Sequence, residues 1–169
     1  KINLKSFEAP LLIVGNFPYN ISNQILFKIY ENRDIVQSMV GMFQHEVAER
    51  ICSGAGSKKY GILSVLIQAY YDVEMKIKIK PDSFYPSPKV DSAVIKIVKN
   101  CEQLDCDEKL FKKIVKTTFN LRRKKIRNSL KTLNYSQIKF DSPIFDKRPE
   151  ELGVLDFINL TNLLNNENI

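Results

Sequence analysis

The feature that most restricts what this chain can fold into is the stretch Leu11 to Ser22, LLIVGNFPYNIS. Five consecutive small or apolar residues, Leu11 to Gly15, read as a strand covered on both faces, the pattern of a central parallel strand in an α/β sheet. The strand then stops at an amide, two aromatics and a proline. Ligands of open α/β sheets bind beyond the carboxyl ends of the strands, so this turn is a site candidate by position alone. Pro18 has a fixed φ and no N–H, which stiffens the turn and aims its carbonyl. Asn16 offers an amide oxygen, and Phe17 and Tyr19 offer flat faces for a planar ring. Two acceptors beside a stacking ring suit an exocyclic amino group on a purine or pyrimidine. Accepting both N–H bonds would pyramidalise the nitrogen and aim its lone pair at an electrophile, catalysis by positioning without a strong base. The spacing fits a plain strand-to-helix turn equally well, with Asn20 or Ser22 as N-cap.

Downstream, Ile21, Ile25, Leu26 and Ile29 recur at helical spacing, and residues 35–43, IVQSMVGMF, predict a second strand. A short helix carrying Val47, Ala48 and Ile51 ends at Gly54-Ala55-Gly56, read as a C-cap and turn. GILSVLIQAYY predicts a buried helix, with Tyr70 and Tyr71 packed in or against the core. VEMKIKIK alternates apolar and charged residues as a half-exposed strand does. A Pro-rich loop, PDSFYPSPKVDS, leads to a last strand, AVIKIV. This order predicts an α/β sheet with an antiparallel edge. After the acidic linker NCEQLDCDE the pattern becomes wholly helical, which places a boundary between a domain over 1–99 and a small helical one over 100–169.

Charge is concentrated in one place. Lys109 to Lys131 holds ten Lys or Arg residues and no Asp or Glu, whereas outside it 16 basic residues face 19 acidic ones. One basic cassette on an otherwise slightly acidic chain points to a polyanionic partner. If 119–133 is one helix, Arg123, Arg127 and Lys131 form a stripe opposite Phe119, Ile126, Leu130 and Leu133. Arg122, Lys124 and Lys125 complete the set of candidate phosphate contacts, and Lys58 and Lys59 are further surface cations. No apolar run approaches the roughly 20 residues of a membrane span. The first residues show no signal-peptide pattern, and the three cysteines make no CxxC pair, so a reduced cytoplasmic chain without structural zinc is expected. His45 is the only histidine, which leaves a metal centre or a hydrolase triad at Asp91-Ser92 short of partners.

Taken in order, NFPYNIS, FQHEVAERI (43–51), SKKYGILSVLIQAYYDVE (57–74), FYPSPKVDSAV (84–94) and FNLRRKKIRNSL (119–130) resemble the KsgA-type ribosomal RNA adenine dimethyltransferases over nearly the whole chain. Phe17 stands where that family more often has leucine. The resemblance implies a Rossmann-like, S-adenosylmethionine-dependent methyltransferase sheet with an antiparallel edge, plus a small all-α C-terminal domain. It implies dimethylation of N6 on two adjacent adenosines near the 3′ end of small-subunit rRNA, in ribosome biogenesis. On this chain Asn16, Pro18 and Tyr19 would form the target-base motif, Asn16 also standing near the cofactor. Phe84 would supply the opposite stacking face on a loop stretched by Pro86 and Pro88, and Asp91 and Ser92 would fix that loop. Arg122, Arg123, Lys124, Lys125, Arg127 and Lys131 would contact RNA.

The family's cofactor site is built mainly by a Gly-rich loop after its first strand, and no such loop is present here. The expectation is therefore a C-terminal portion beginning before the family's fourth strand and inactive by itself. Strand 11–15 would then be an exposed edge open to self-association. A non-catalytic RNA-binding module for ribosome assembly is the alternative. A DNA adenine methyltransferase, whose motif at this turn is similar, and the related erythromycin-resistance methyltransferases are rival readings, from which the K-V-D-S-A-V and R-N-S-L segments lean away.

Overall fold

Strand β1 (Leu11–Asn16) opens a four-stranded sheet in the computed structural model, which describes residues 3–133 and 141–166. Of the expected domains, residues 1, 2, 134–140 and 167–169 lie outside the described ones. The chain divides into two units, residues 1–53 with 67–102 and residues 54–66 with 103–169. Residues 54–66 thus go with the helical second unit.

In the first unit, helix α1 (Ser22–Glu31) returns the chain to β2 (Val36–Gln44), which pairs parallel with β1. Helix α2 (His45–Cys52) precedes β3 (Tyr71–Ile79) and β4 (Ser92–Lys99), and the intervening α3 (Ile62–Gln68) has only residues 67 and 68 in this unit. The order across the sheet is β1-β2-β4-β3, with β4 antiparallel to both neighbours. Alternation along β2 buries Met39, Gly41 and Phe43. Met39 and Gly41 pair with Ile97 and Ile95 of β4, and Leu26 and Ile29 of α1 and Ala48 and Ile51 of α2 are buried as well.

Several local expectations change. The apolar run of β1 is covered on one face only: Leu12 and Val14 are 71% and 81% exposed. Neither Asn20 nor Ser22 caps α1. A 3-10 turn, Tyr19–Ile21, feeds directly into the helix, and the Ser22 hydroxyl donates back to the Tyr19 carbonyl at 3.0 Å. Helix α2 stops at Ser53, where the Gln68 side-chain amide donates to the carbonyls of Ile51 and Ser53 at 2.7 and 2.9 Å. Gly54-Ala55-Gly56 follows as a turn, with Gly56 at φ +87°, a conformation that glycine adopts at no steric cost. Helix α3 ends before Tyr71 because that residue already pairs with Lys99 in the sheet, its buried hydroxyl donating to the Val36 carbonyl at 3.0 Å. A bulge between Met75 and Ile77 breaks the alternation of β3 and turns Ile77 out.

The second unit contains α4 (Glu108–Asn120), α5 (Ile126–Leu130) and α6 (Val154–Asn166). Asp107 caps α4, its Oδ1 accepting from the N–H groups of Lys109 and Leu110 at 2.8 and 3.0 Å. Phe111, Ile114, Ile126, Leu130, Phe157 and Leu160 are fully buried. Tyr60 meets the edge of Phe119 at 6.0 Å between centroids, which carries 54–66 into this core. Burial, followed by the Asp156 carboxylate, pushes the Tyr60 phenol up to about 12.

The single helix over 119–133 does not form. Residues 121–125 make a turn, Lys124 N–H donating to the Leu121 carbonyl and Ile126 N–H to the Lys147 carbonyl. Lys125 is extended, with ψ 152°, and beyond the break Asp146 takes Lys125 Nζ at 3.0 Å and an Arg127 guanidinium nitrogen at 2.6 Å.

Candidate active site

The carboxyl end of β1 opens onto a cleft of about 360 Å³ lined by Asn16, Phe17, Pro18, Tyr19, Met42, Phe84, Pro86 and Pro88. The structure thus brings the four sequence-predicted site residues, Asn16, Pro18, Tyr19 and Phe84, around one cavity although Phe84 lies on a distant loop. Sheet register does part of this. Asn16 is paired with Met42 at the end of β2, so two parallel strands end side by side beneath the cleft.

The Asn16 amide is exposed and has no hydrogen-bond partner among the described residues. The Pro18 carbonyl accepts from Ile21 N–H at 3.2 Å, which occupies one of its two lone pairs and leaves the other. Phe17 does not present a free face. Its N–H donates to the Met42 carbonyl at 3.3 Å, and its ring stacks on Phe43 with centroids 5.2 Å apart. The ring lies over Gly15 and Gly41, where an added Cβ would come within 2.9 and 2.6 Å of it. Phe17 is a floor, and Tyr19 and Phe84 are the aromatic groups left for a ligand.

The loop carrying Phe84 is held at several points. Phe84 N–H and the Ser87 hydroxyl both donate to the Pro81 carbonyl, at 3.2 and 2.7 Å. At its end the Asp91 carbonyl accepts from His45 N–H at 2.8 Å, and the Asp91 carboxylate pairs with Lys78 at 2.7 Å. The hydrogen bond from Lys78 holds the Asp91 carboxyl below the usual carboxylate range. Ser92 turns away from this loop to the hydroxyl of Tyr19, at 2.5 Å. Met42 and Ser92 had no ligand-directed role in the sequence reading. The strand-end rule applied to β2 as well as β1 would have found Met42. Nothing local signals Ser92.

The predicted RNA contacts all lie in the second unit and split into two groups. Arg122 pairs with Glu150 at 3.7 Å, while Lys125 and Arg127 share Asp146. Arg123, Lys124 and Lys131 are exposed and have no acidic partner among the described residues. The Lys125 hydrogen bond leads in holding the Asp146 carboxyl below its ordinary range, with Arg127 adding to it. His45 pairs with Glu49 at 3.3 Å, and among the described residues no cluster of three or more side chains could hold a metal ion. No described helix is long and apolar enough to cross a membrane.

The fold is that of Rossmann-like methyltransferases. A dimethyladenosine transferase from Plasmodium falciparum superposes with a TM-score of 0.79 at 24% identity, covering 94% of this chain and 68% of that one. The 23S rRNA methyltransferase ErmE superposes at 0.63 and 21% identity, covering 91% of this chain and 66% of its own. Residues 2–161 match the family described as "Ribosomal RNA adenine dimethylase", and the chain belongs to that family. It is 55% identical over 166 residues to "Ribosomal RNA small subunit methyltransferase A" of Bacteroides thetaiotaomicron, covering 96% of this chain and 62% of the relative. The protein of the same description from Flavobacterium johnsoniae is 56% identical over 150 residues, with 88% and 58% covered. The chain therefore spans about three fifths of the length of these curated relatives.

Proposed function

We propose that this chain forms the base-binding part of an S-adenosylmethionine-dependent enzyme that dimethylates N6 of adjacent adenosines in small-subunit ribosomal RNA. The observation that carries the reading is the convergence of Asn16, Pro18, Tyr19 and Phe84 on one cleft. An unstacked adenine slides between aromatic faces, each stack contributing roughly 1–3 kcal/mol. The Asn16 amide oxygen and the free lone pair of the Pro18 carbonyl accept the two N6 hydrogens. Delocalisation of the nitrogen lone pair into the ring then falls, and the pair points out of the base plane. The relatives' printed descriptions supply the substrate class.

Bound S-adenosylmethionine supplies an activated methyl group. The described residues do not by themselves make a site for it. The one G-x-G is Gly54-Ala55-Gly56, which follows α2 and meets nothing that would form a cradle, Gly54 and Gly56 having open space where a Cβ would stand. Asn16 is the single group of this chain assigned to the cofactor side. Arg123, Lys124 and Lys131 take RNA phosphates, a contact that positions the substrate without reading sequence.

The test is methyl transfer from labelled S-adenosylmethionine onto unmethylated small ribosomal subunits. This chain is run beside a version extended upstream to the length of its relatives. Transfer by the extended chain alone supports the proposal. No transfer by either, with salt-sensitive RNA binding retained, refutes it in favour of an assembly module.

A further inference from the structure

We infer that Ser92 is a positioning residue: its hydroxyl latches Tyr19 and so fixes the stacking face offered to the base. This rests on the base-binding reading above and adds to it a residue outside the cleft lining. The two hydroxyls stand 2.5 Å apart across 73 residues of sequence. The Ser92 side is rigid. It is fully buried at the first position of β4, in register with Gln44 of β2 and Ile79 of β3. The Tyr19 side is not. Tyr19 begins the 3-10 turn, outside the sheet, and Pro18 before it gives no side-chain cap. Backbone geometry leaves several staggered rotamers open to such a ring. Tying its far end to the sheet selects one of them.

Ser92 also stands where the Phe84 loop rejoins the sheet, next to Asp91 with its ties to His45 and Lys78. One short segment therefore sets both aromatic groups of the cleft. With its hydroxyl committed to Ser92, Tyr19 acts through its ring face, and removing either hydroxyl releases the same restraint. Loss of either partner, or of both together, then has one and the same effect.

The test is a double-mutant cycle on this chain with Ser92→Ala, Tyr19→Phe and the combination. The readout is quenching of a fluorescent adenine analogue that keeps the 6-amino group, 8-vinyladenine, placed at the target adenosine of a short ribosomal RNA hairpin. A hairpin abasic at that position reports backbone binding alone. The latch predicts that each single variant weakens affinity for the 8-vinyladenine hairpin by about tenfold, one misplaced contact being able to cost as much or more. The double variant is no worse than either single one, and affinity for the abasic hairpin is unchanged throughout. Tyr19→Phe, at a half-buried turn, keeps the test valid should Ser92→Ala fail to fold. Additive losses would overturn the latch and give the Tyr19 hydroxyl a contact of its own with the base. Wild-type quenching by both single variants would overturn the latch while leaving the base-binding reading intact. No quenching by the wild-type chain would overturn both.

Discussion

Replacing Gly41 by alanine tests whether the floor of the cleft is set by a close aromatic approach. An ideal Cβ at Gly41 would stand 2.6 Å from Cε2 of Phe17, 2.9 Å from Cε2 of Phe43 and 3.0 Å from Cδ2 of Phe17. These are ring atoms of two stacked aromatics, not ends of flexible chains, so one ring must move. Overpacking of this kind costs about 1–3 kcal/mol. Alanine also lowers the entropy of the unfolded chain, which returns about 0.4–1 kcal/mol where the backbone is compatible. The net expectation is a loss of about 1–2 kcal/mol. Gly15→Ala meets the Phe17 ring alone, at 2.9, 2.9 and 3.4 Å, and should cost less. Phe17→Leu removes the ring and should relieve Gly15→Ala more fully than Gly41→Ala, because Phe43 remains against the latter. Urea unfolding of the singles and doubles, at constant m, gives the coupling energies. A neutral or stabilising Gly41→Ala, or strict additivity between Gly15→Ala and Phe17→Leu, would refute this account of the floor.

Asp146→Asn should free Lys125 and Arg127 for phosphate, tightening RNA binding and steepening its salt dependence by about 0.7–0.9 per freed cation; unchanged affinity and slope would show that the pair never reaches RNA. Arg123→Ala with Lys124→Ala should weaken binding equally for all RNA sequences and make the salt slope shallower. Acid should act on the helical unit through Asp146. Its folded pKa lies below the ordinary value of about 4, so the ion pairs stabilise above that value and their contribution is lost as pH falls through the depressed one. The Asp146→Asn variant should lose less stability over that acid range, as read from unfolding midpoints.

The sequence carried the strand, turn and helix around Asn16 clearly, because strand-end chemistry is local. It carried Phe84 only through a resemblance, since the contact closing the cleft spans most of the first unit. The basic cassette was visible as composition but not as shape. Asp146, outside the cassette, binds Lys125 and Arg127 and divides the cations into paired and exposed sets. Gly15 and Gly41 read as ordinary strand residues until the Phe17 ring lies over them. The one-sided cover of β1 was hidden for a related reason: an apolar run reports what a residue is made of, not whether a neighbour covers it.

The most direct test of the central claim is nucleoside analysis of small-subunit rRNA after incubation with S-adenosylmethionine and the chain extended to the length of its relatives, beside the same protein carrying Asn16→Ala. The account predicts N6,N6-dimethyladenosine at two adjacent adenosines near the 3′ end, and its loss on removal of the Asn16 amide. Methylation at another atom or base, or full dimethylation by the Asn16→Ala protein, would contradict it.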